Sequence, residues 1–390
     1  MDTVTILIIV AAIWLLIYII AQAVGIDKLN EKGVDAGFPF FLLLKTERLN
    51  SFLTKMGKKT PRLFWNAGVF VGFFGMIFGF YIFADNFLKF FTTPDDAGGV
   101  VPIIPGVTIK GLPLIYMMIG LSVTLLTHEF GHGLASARDD IPIKSSGLLF
   151  FYVIFGGFVE PDDEVFEKEA SPKARMRLLG AGSFMNILTG LVVLLLIANF
   201  ASLMSIGFNP PSGAYIYDVV ADSPGAEALQ VGDIIIGINE TTIETWDEVG
   251  DYMENALAGD QITIYTLDAD NPTIILAPHD SNASLGYIGV YGADYWEPKP
   301  GWDAFLSPMF AFHLQQTLVW LWIVLISVGL FNLLPVPALD GDKLLSNGLS
   351  LIIKDENKIR YLMWPARIIS LTIVLLSIIF SLWMGKGILG

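Results

Sequence analysis

Cysteine is absent from this chain of 390 residues. Disulfides and thiolate metal sites are thereby excluded, and a metal centre has to draw on His, Asp or Glu. Histidine is scarce too, with four in all, so few combinations of imidazoles exist. Charge is the third shortage: 16% of residues are Asp, Glu, Lys or Arg, against 54% hydrophobic. That balance excludes an ordinary soluble protein and reads as a membrane protein with several spans. Basic residues are nearly missing from one segment. Residues 207–310 hold 17 Asp and Glu against a single Lys, Lys299, which accounts for about all of the formal net charge of −15. Such a block repels phosphate groups, which excludes nucleic acid and anionic lipid headgroups as its partners.

What is present is a series of long apolar runs. Membrane spans are expected at about 4–25, 64–83, 112–135, 178–206, 310–334 and 361–384. The first is read as a retained span, because Asp2 stands where a secretory signal would carry basic residues. Residues 38–44 are apolar but too few to cross, and are expected to lie in the membrane interface or to re-enter it. A linker with Pro94, Pro102 and Pro105 separates the second and third spans. Residues 146–160, aromatic and β-branched and ending just past Gly156-Gly157, are expected as a strand or hairpin beside the bundle. From Gly207 the composition becomes that of a soluble domain, with strands expected at 214–220, 233–238 and 261–267 and an amphipathic helix at 246–257. The fold class is therefore an α-helical polytopic membrane protein of about six transmembrane helices with an inserted soluble α+β domain.

The third span contains His128-Glu-Phe-Gly-His132. On a helix, residues four apart project from one face, so both imidazoles can grip one metal ion while Glu129 points to where a bound water would sit. Ionisable groups inside a span are costly unless paired or lining a polar cavity, so function is the default there. A hydrolytic zinc site takes three protein ligands and leaves one position for water. The third ligand is expected from the end of the fifth span, Asn332-Leu-Leu-Pro-Val-Pro-Ala-Leu-Asp-Gly341, where Pro335 and Pro337 forbid a continuous helix. Asp340 is the choice, with Asp342 a competing carboxylate two residues on. His279 and His313 read as structural.

In combination, the histidine motif in a span, the motif at 332–341 and an insert between the fourth and fifth spans resemble the site-2 protease family of intramembrane zinc metalloproteases. Within the insert, Ser-Pro-Gly-Ala at 223–226, Val-Gly-Asp-Ile-Ile-Ile-Gly-Ile-Asn at 231–239 and Trp-Asp-Glu-Val at 246–249 resemble a PDZ domain of the protease-associated type. The resemblance implies one zinc per chain on His128, His132 and Asp340, Glu129 as the catalytic acid and base, and Asn186 as an active-site asparagine. It also implies a substrate-presenting β-loop around Gly156, Gly157 and Phe158. The partners implied are membrane proteins with a transmembrane helix, cleaved within the bilayer, together with a peptide ligand of the PDZ-like domain. The chain then divides into N-terminal helices and interfacial segment (1–111), catalytic membrane core (112–206), PDZ-like domain (207–292) and C-terminal membrane part (293–390). A catalytically silent receptor or scaffold that binds peptides through the insert is the alternative. A transporter is a third reading, because broken helices with ionisable residues also mark ion sites. Loop charges give the orientation: loops at about 26–63, 137–177 and 335–360 carry 8, 6 and 4 Lys and Arg, against 2 in 84–111. The positive-inside rule then places the PDZ-like domain outside the cytoplasm and the active site toward the cytoplasmic side of the cell membrane.

Overall fold

The structure, a computed structural model, describes residues 3–100, 108–267, 271–279 and 282–385. Pro102 and Pro105 of the expected linker lie outside the described residues. The chain forms two compact units, one of residues 1–195 with 317–390 and one of residues 196–316.

In the first unit, α1 (Thr3–Val24) and α2 (Ile26–Asn30) lead into β1 (Val34–Asp35), β2 (Phe41–Lys45) and α3 (Glu47–Gly57). The long helices α4 (Arg62–Thr92) and α5 (Gly111–Arg138) follow, then β3 (Ile143–Phe151), β4 (Ile154–Pro161) and α6 (Pro172–Ala198). The four strands make an antiparallel sheet in the order β1-β2-β3-β4. The segment expected in the interface thus contributes β2 to this sheet, with Leu42 opposite Phe150 and Leu44 opposite Leu148. Seven apolar residues are too few for a spanning helix, and their backbone groups find partners in a hairpin about a hundred residues further on. That hairpin is β3–β4, as the aromatic, glycine-ended stretch led us to expect. Its turn carries Tyr152, in the left-handed region at φ 53, and the Tyr152 carbonyl accepts a hydrogen bond from the indole of Trp14 on α1 at 2.8 Å.

The second unit contains α7 (Phe200–Met204), β5 (Ala214–Val219), β6 (Ile234–Ile238), β7 (Thr241–Thr242), α8 (Trp246–Met253) and β8 (Gln261–Thr266). It continues through β9 (Thr273–Ile275), β10 (Ala277–His279), β11 (Asn282–Tyr287) and β12 (Val290–Asp294). The main sheet runs β12-β5-β6-β8-β9, with β7 beside β6, and β10–β11 form a separate hairpin. Alternation along the strands turns Ile216, Ile235, Ile262 and Ile264 into one core with Val249 of α8, and Ile238 joins it past a register shift in β6 between Ile235 and Gly237. The start of α8 is fixed by a capping box of Thr245 and Glu248. The fourth span, expected to run to residue 206, ends at Ala198. Asn199 leaves the helical conformation, and α7 starts afresh.

The chain then returns through α9 (Pro308–Phe331), α10 (Asp340–Ser350) and α11 (Glu356–Trp383). Among the described residues, α4, α5, α6, α9 and α11 are long and apolar enough to cross a membrane. The apolar stretch of α1, Ile8–Val24, is shorter, about 25 Å of helix. On α4, Gly68, Gly72, Gly75 and Gly79 form a buried stripe while Phe70, Phe74 and Ile77 are exposed. Small residues face the helices and large ones the lipid, as expected where backbones must approach closely.

Arg177 holds the end of α5 in place. Asp139, just past its last turn, receives both the Nε and an Nη of Arg177 on α6, at 2.6 and 2.7 Å. Asn66 of α4 accepts from the same guanidinium at 3.2 Å. Further along, Met117 of α5 and Val324 of α9 pack in one buried cluster with Ile109.

Candidate metal centre

α5 brings His128, Glu129 and His132 to its C-terminal half, and the break after α9 brings Asp340 to them. After Phe331 the prolines end the helix, Ala338 takes a left-handed conformation at φ 77, and α10 starts at Asp340. The turn is closed by the Gly341 amide, which donates to the Asn332 carbonyl at 2.8 Å. A side chain at position 341 would collide with the carbonyl of Leu333, so glycine is required for this close approach.

The three donor atoms converge. The Nε2 atoms of His128 and His132 are 3.0 Å apart, and Oδ2 of Asp340 lies 3.1 and 3.2 Å from them. Ligands around a tetrahedral zinc are about 3.3 Å apart at ordinary Zn–N and Zn–O lengths, so this triangle fits that ion. Two imidazoles and a carboxylate are also a common donor set for hydrolytic zinc. His128 and His132 are 8% and 9% exposed, and the Asp340 side chain is 22% exposed. Among the described residues this is the one cluster of three such groups with the geometry to hold a metal. His279 is on β10 and His313 on the first turns of α9, both in the other compact unit.

The surrounding shell is specific. Nδ1 of His132 meets the Leu178 carbonyl at 2.8 Å, and Nδ1 of His128 lies 3.3 Å from the Asn186 amide. Gly182 of α6 lies directly against the rings: a Cβ there would stand 2.6 Å from Nε2 of both histidines. A glycine 50 positions from the motif gives no local signal in the sequence of its place beneath the histidines. Asp342, the competing carboxylate, is taken up elsewhere. It binds Arg367 of α11 through both oxygens, at 2.6 and 2.8 Å.

Oε2 of Glu129 accepts the backbone N–H of Val159 on β4 at 2.9 Å. β4 also carries Gly156, Gly157 and Phe158, paired with Leu149, Leu148 and Gly147 of β3. The two glycines let the strand lie against Leu125 and Leu126 of α5. The structure thus brings the acid/base candidate and the expected substrate strand into contact. It places Asn186, fully buried, on the far side of His128.

These features have counterparts in known proteins. A family model for peptidase family M50 matches residues 116–376. An uncharacterized protein of Methanocaldococcus jannaschii is 27% identical over 98% of this chain and all of its own length. A candidate zinc metalloprotease of Clostridium perfringens is 24% identical over 64% of this chain and 91% of its own. A crystal structure of the PDZ domain of an SdrC-like protein of Listeria monocytogenes is 26% identical, covering 21% of this chain and 87% of that domain at a TM-score of 0.19. The family match encloses His128, Glu129, His132 and Asp340 and most of the sequence, and the chain belongs to peptidase family M50, the site-2 protease family.

Proposed function

We propose that this protein is an intramembrane zinc metalloprotease that hydrolyses peptide bonds within or near the transmembrane segments of membrane proteins, releasing membrane-tethered regulators. The observation that carries the proposal is the convergence of the His128, His132 and Asp340 donor atoms at 3.0–3.2 Å, beside Glu129, on helices apolar enough to span a bilayer. Zinc bound there supplies a Lewis acid that acidifies water and polarises a peptide carbonyl. Glu129 takes the proton from the attacking water and delivers it to the leaving amine nitrogen. Its orientation is set by the Val159 N–H, so the group that moves the proton is fastened to the strand proposed to hold the substrate. β4 ends its sheet, and a substrate segment unwound from its helix adds alongside it as an extended strand around Gly156, Gly157 and Phe158. Unwinding is needed because a helix keeps its peptide groups bonded to one another.

The PDZ-like insert takes an extended peptide on a terminal strand of its sheet, β12 or β9. On the charge pattern of the loops, the insert lies outside the cytoplasm and the zinc site toward the cytoplasmic face, so the cytoplasmic portion of the substrate is released. A silent peptide receptor would have no use for Glu129 beside a complete ligand set.

Membranes of cells that express either the wild type or Glu129→Gln test the proposal. Cleavage should fall by about 10²–10⁴-fold in the variant, so that uncut membrane fragments accumulate. Identical fragment patterns in the two membranes would sink it.

A further inference from the structure

The two ligand histidines are oriented by unlike partners. His132 meets a backbone carbonyl, that of Leu178, which no side-chain substitution removes. Nδ1 of His128 lies 3.3 Å from Nδ2 of Asn186, whose Oδ1 accepts from the hydroxyl of Thr127, the residue beside His128 on α5, at 2.7 Å. Asn186 is 0% exposed, and both ends of its amide are committed to protein groups.

A count of hydrogens fixes which way that amide faces. Nε2 of His128 is the atom that points at His132 and Asp340. A neutral imidazole that gives Nε2 to a metal keeps its proton on Nδ1. That N–H needs an acceptor, so zinc binding requires the Asn186 amide turned over, with its oxygen toward the ring; oxygen and nitrogen of an amide have nearly the same shape, and the hydrogen-bond network decides between them. The NH2 then donates to Oγ1 of Thr127, and the Thr127 hydroxyl passes its single proton to the carbonyl of Thr124, 3.1 Å away. The Nδ1–H, one amide N–H and the hydroxyl each have an acceptor. With Nδ2 left toward the ring, two acceptors, Oδ1 of Asn186 and the Thr124 carbonyl, compete for the one Thr127 proton. The NH2 would also donate to Nδ1, which moves the His128 proton onto Nε2 and blocks the metal. Metal binding and an amide with Nδ2 toward the ring are mutually exclusive.

From this count we infer that Asn186 and Thr127 are positioning residues. They form a relay from the Thr124 carbonyl through the Thr127 hydroxyl and the Asn186 amide, and it holds His128 in the tautomer that binds zinc. The inference rests on the zinc site proposed above and gives Asn186 a different task from contact with substrate. Polar groups that orient a metal-bound histidine typically contribute 10–100-fold to metal affinity.

The test is zinc affinity of the full-length protein in detergent, stripped with a chelator and titrated against a chromophoric competitor. Asn186→Leu leaves the Nδ1–H buried without an acceptor and should weaken zinc by about 10–100-fold. Asn186→Asp keeps an acceptor for Nδ1–H and should bind as tightly as the wild type or tighter. Thr127→Val should weaken zinc by less than Asn186→Leu. An asparagine that served only the substrate would leave affinity unchanged in all three. Asn186→Leu binding like the wild type, or Asn186→Asp binding as weakly as Asn186→Leu, overturns the inference. If Asn186→Leu does not fold, the aspartate variant decides: wild-type affinity supports the relay, and loss of zinc refutes it. A wild type that takes up no zinc is a separate outcome, in which the metal site itself falls and the relay with it.

Discussion

Gly182 sets the space in which the two imidazoles meet. Any side chain there would overlap His128 and His132, whose ring atoms come within 2.6 Å of the position a Cβ would occupy. Alanine is otherwise favoured over glycine in a helix, so Gly182→Ala should leave α6 folded and even locally more stable. We expect this variant to lose its metal with its helix content intact, measured by elemental analysis beside circular dichroism. Retained zinc would mean that the rings have room to retreat. His128, Glu129 and His132 were legible in the sequence because a four-residue spacing on one helix is local geometry. Asp340 was legible because two prolines at the end of a span leave a break that needs a reason. Gly182, Thr127 and Leu178 were not, since their roles depend on how α5 and α6 meet, which no local pattern encodes. Asn186 was found by resemblance, and its partners came only from the fold.

Among the elements, α10 presents Asp340 and is itself held by α11. Asp342, in the first turn of α10, is buried against Arg367 two positions beyond Pro365. Removing one partner of such a pair strands the other charge. Because the Arg367 side chain is 29% exposed, the cost falls at or below the lower end of the buried range, up to about 3 kcal/mol. Arg367→Met should therefore lower the thermal midpoint and weaken zinc retention, and adding Asp342→Asn should restore part of both. Thermal scans of the metal-loaded and stripped protein check this, and equal behaviour of single and double variants would show that the pair does not anchor α10. The elements themselves were read unevenly from the sequence. The β3–β4 hairpin was visible in its β-branched, glycine-ended composition. The pairing of β2 was invisible, because its partner strand lies about a hundred residues away and a short apolar piece looks the same at an interface as in a sheet. The end of α6 at Ala198 was missed because the apolar run continues past Asn199 into α7.

At the scale of the whole molecule, orientation in the membrane decides which side of a substrate is released. The basic loops alternate with poor ones along the chain, and the acidic insert falls in the poor set. A chain without cysteine allows a direct check with single introduced thiols and an impermeant reagent on intact cells. Ser284→Cys, exposed on β11, should react, and Ser51→Cys, exposed on α3, should not. The reverse pattern would invert the topology and the direction of release. The account as a whole stands on a division of labour: His128, His132 and Asp340 hold zinc, and Glu129 moves protons without holding it. Zinc content per chain of the purified protein tests that most directly, because it needs no knowledge of the substrate. The account predicts one zinc in the wild type, one in Glu129→Gln and a large loss in Asp340→Asn. A wild type without zinc, an Asp340→Asn variant with a full complement, or a Glu129→Gln variant without metal would contradict it.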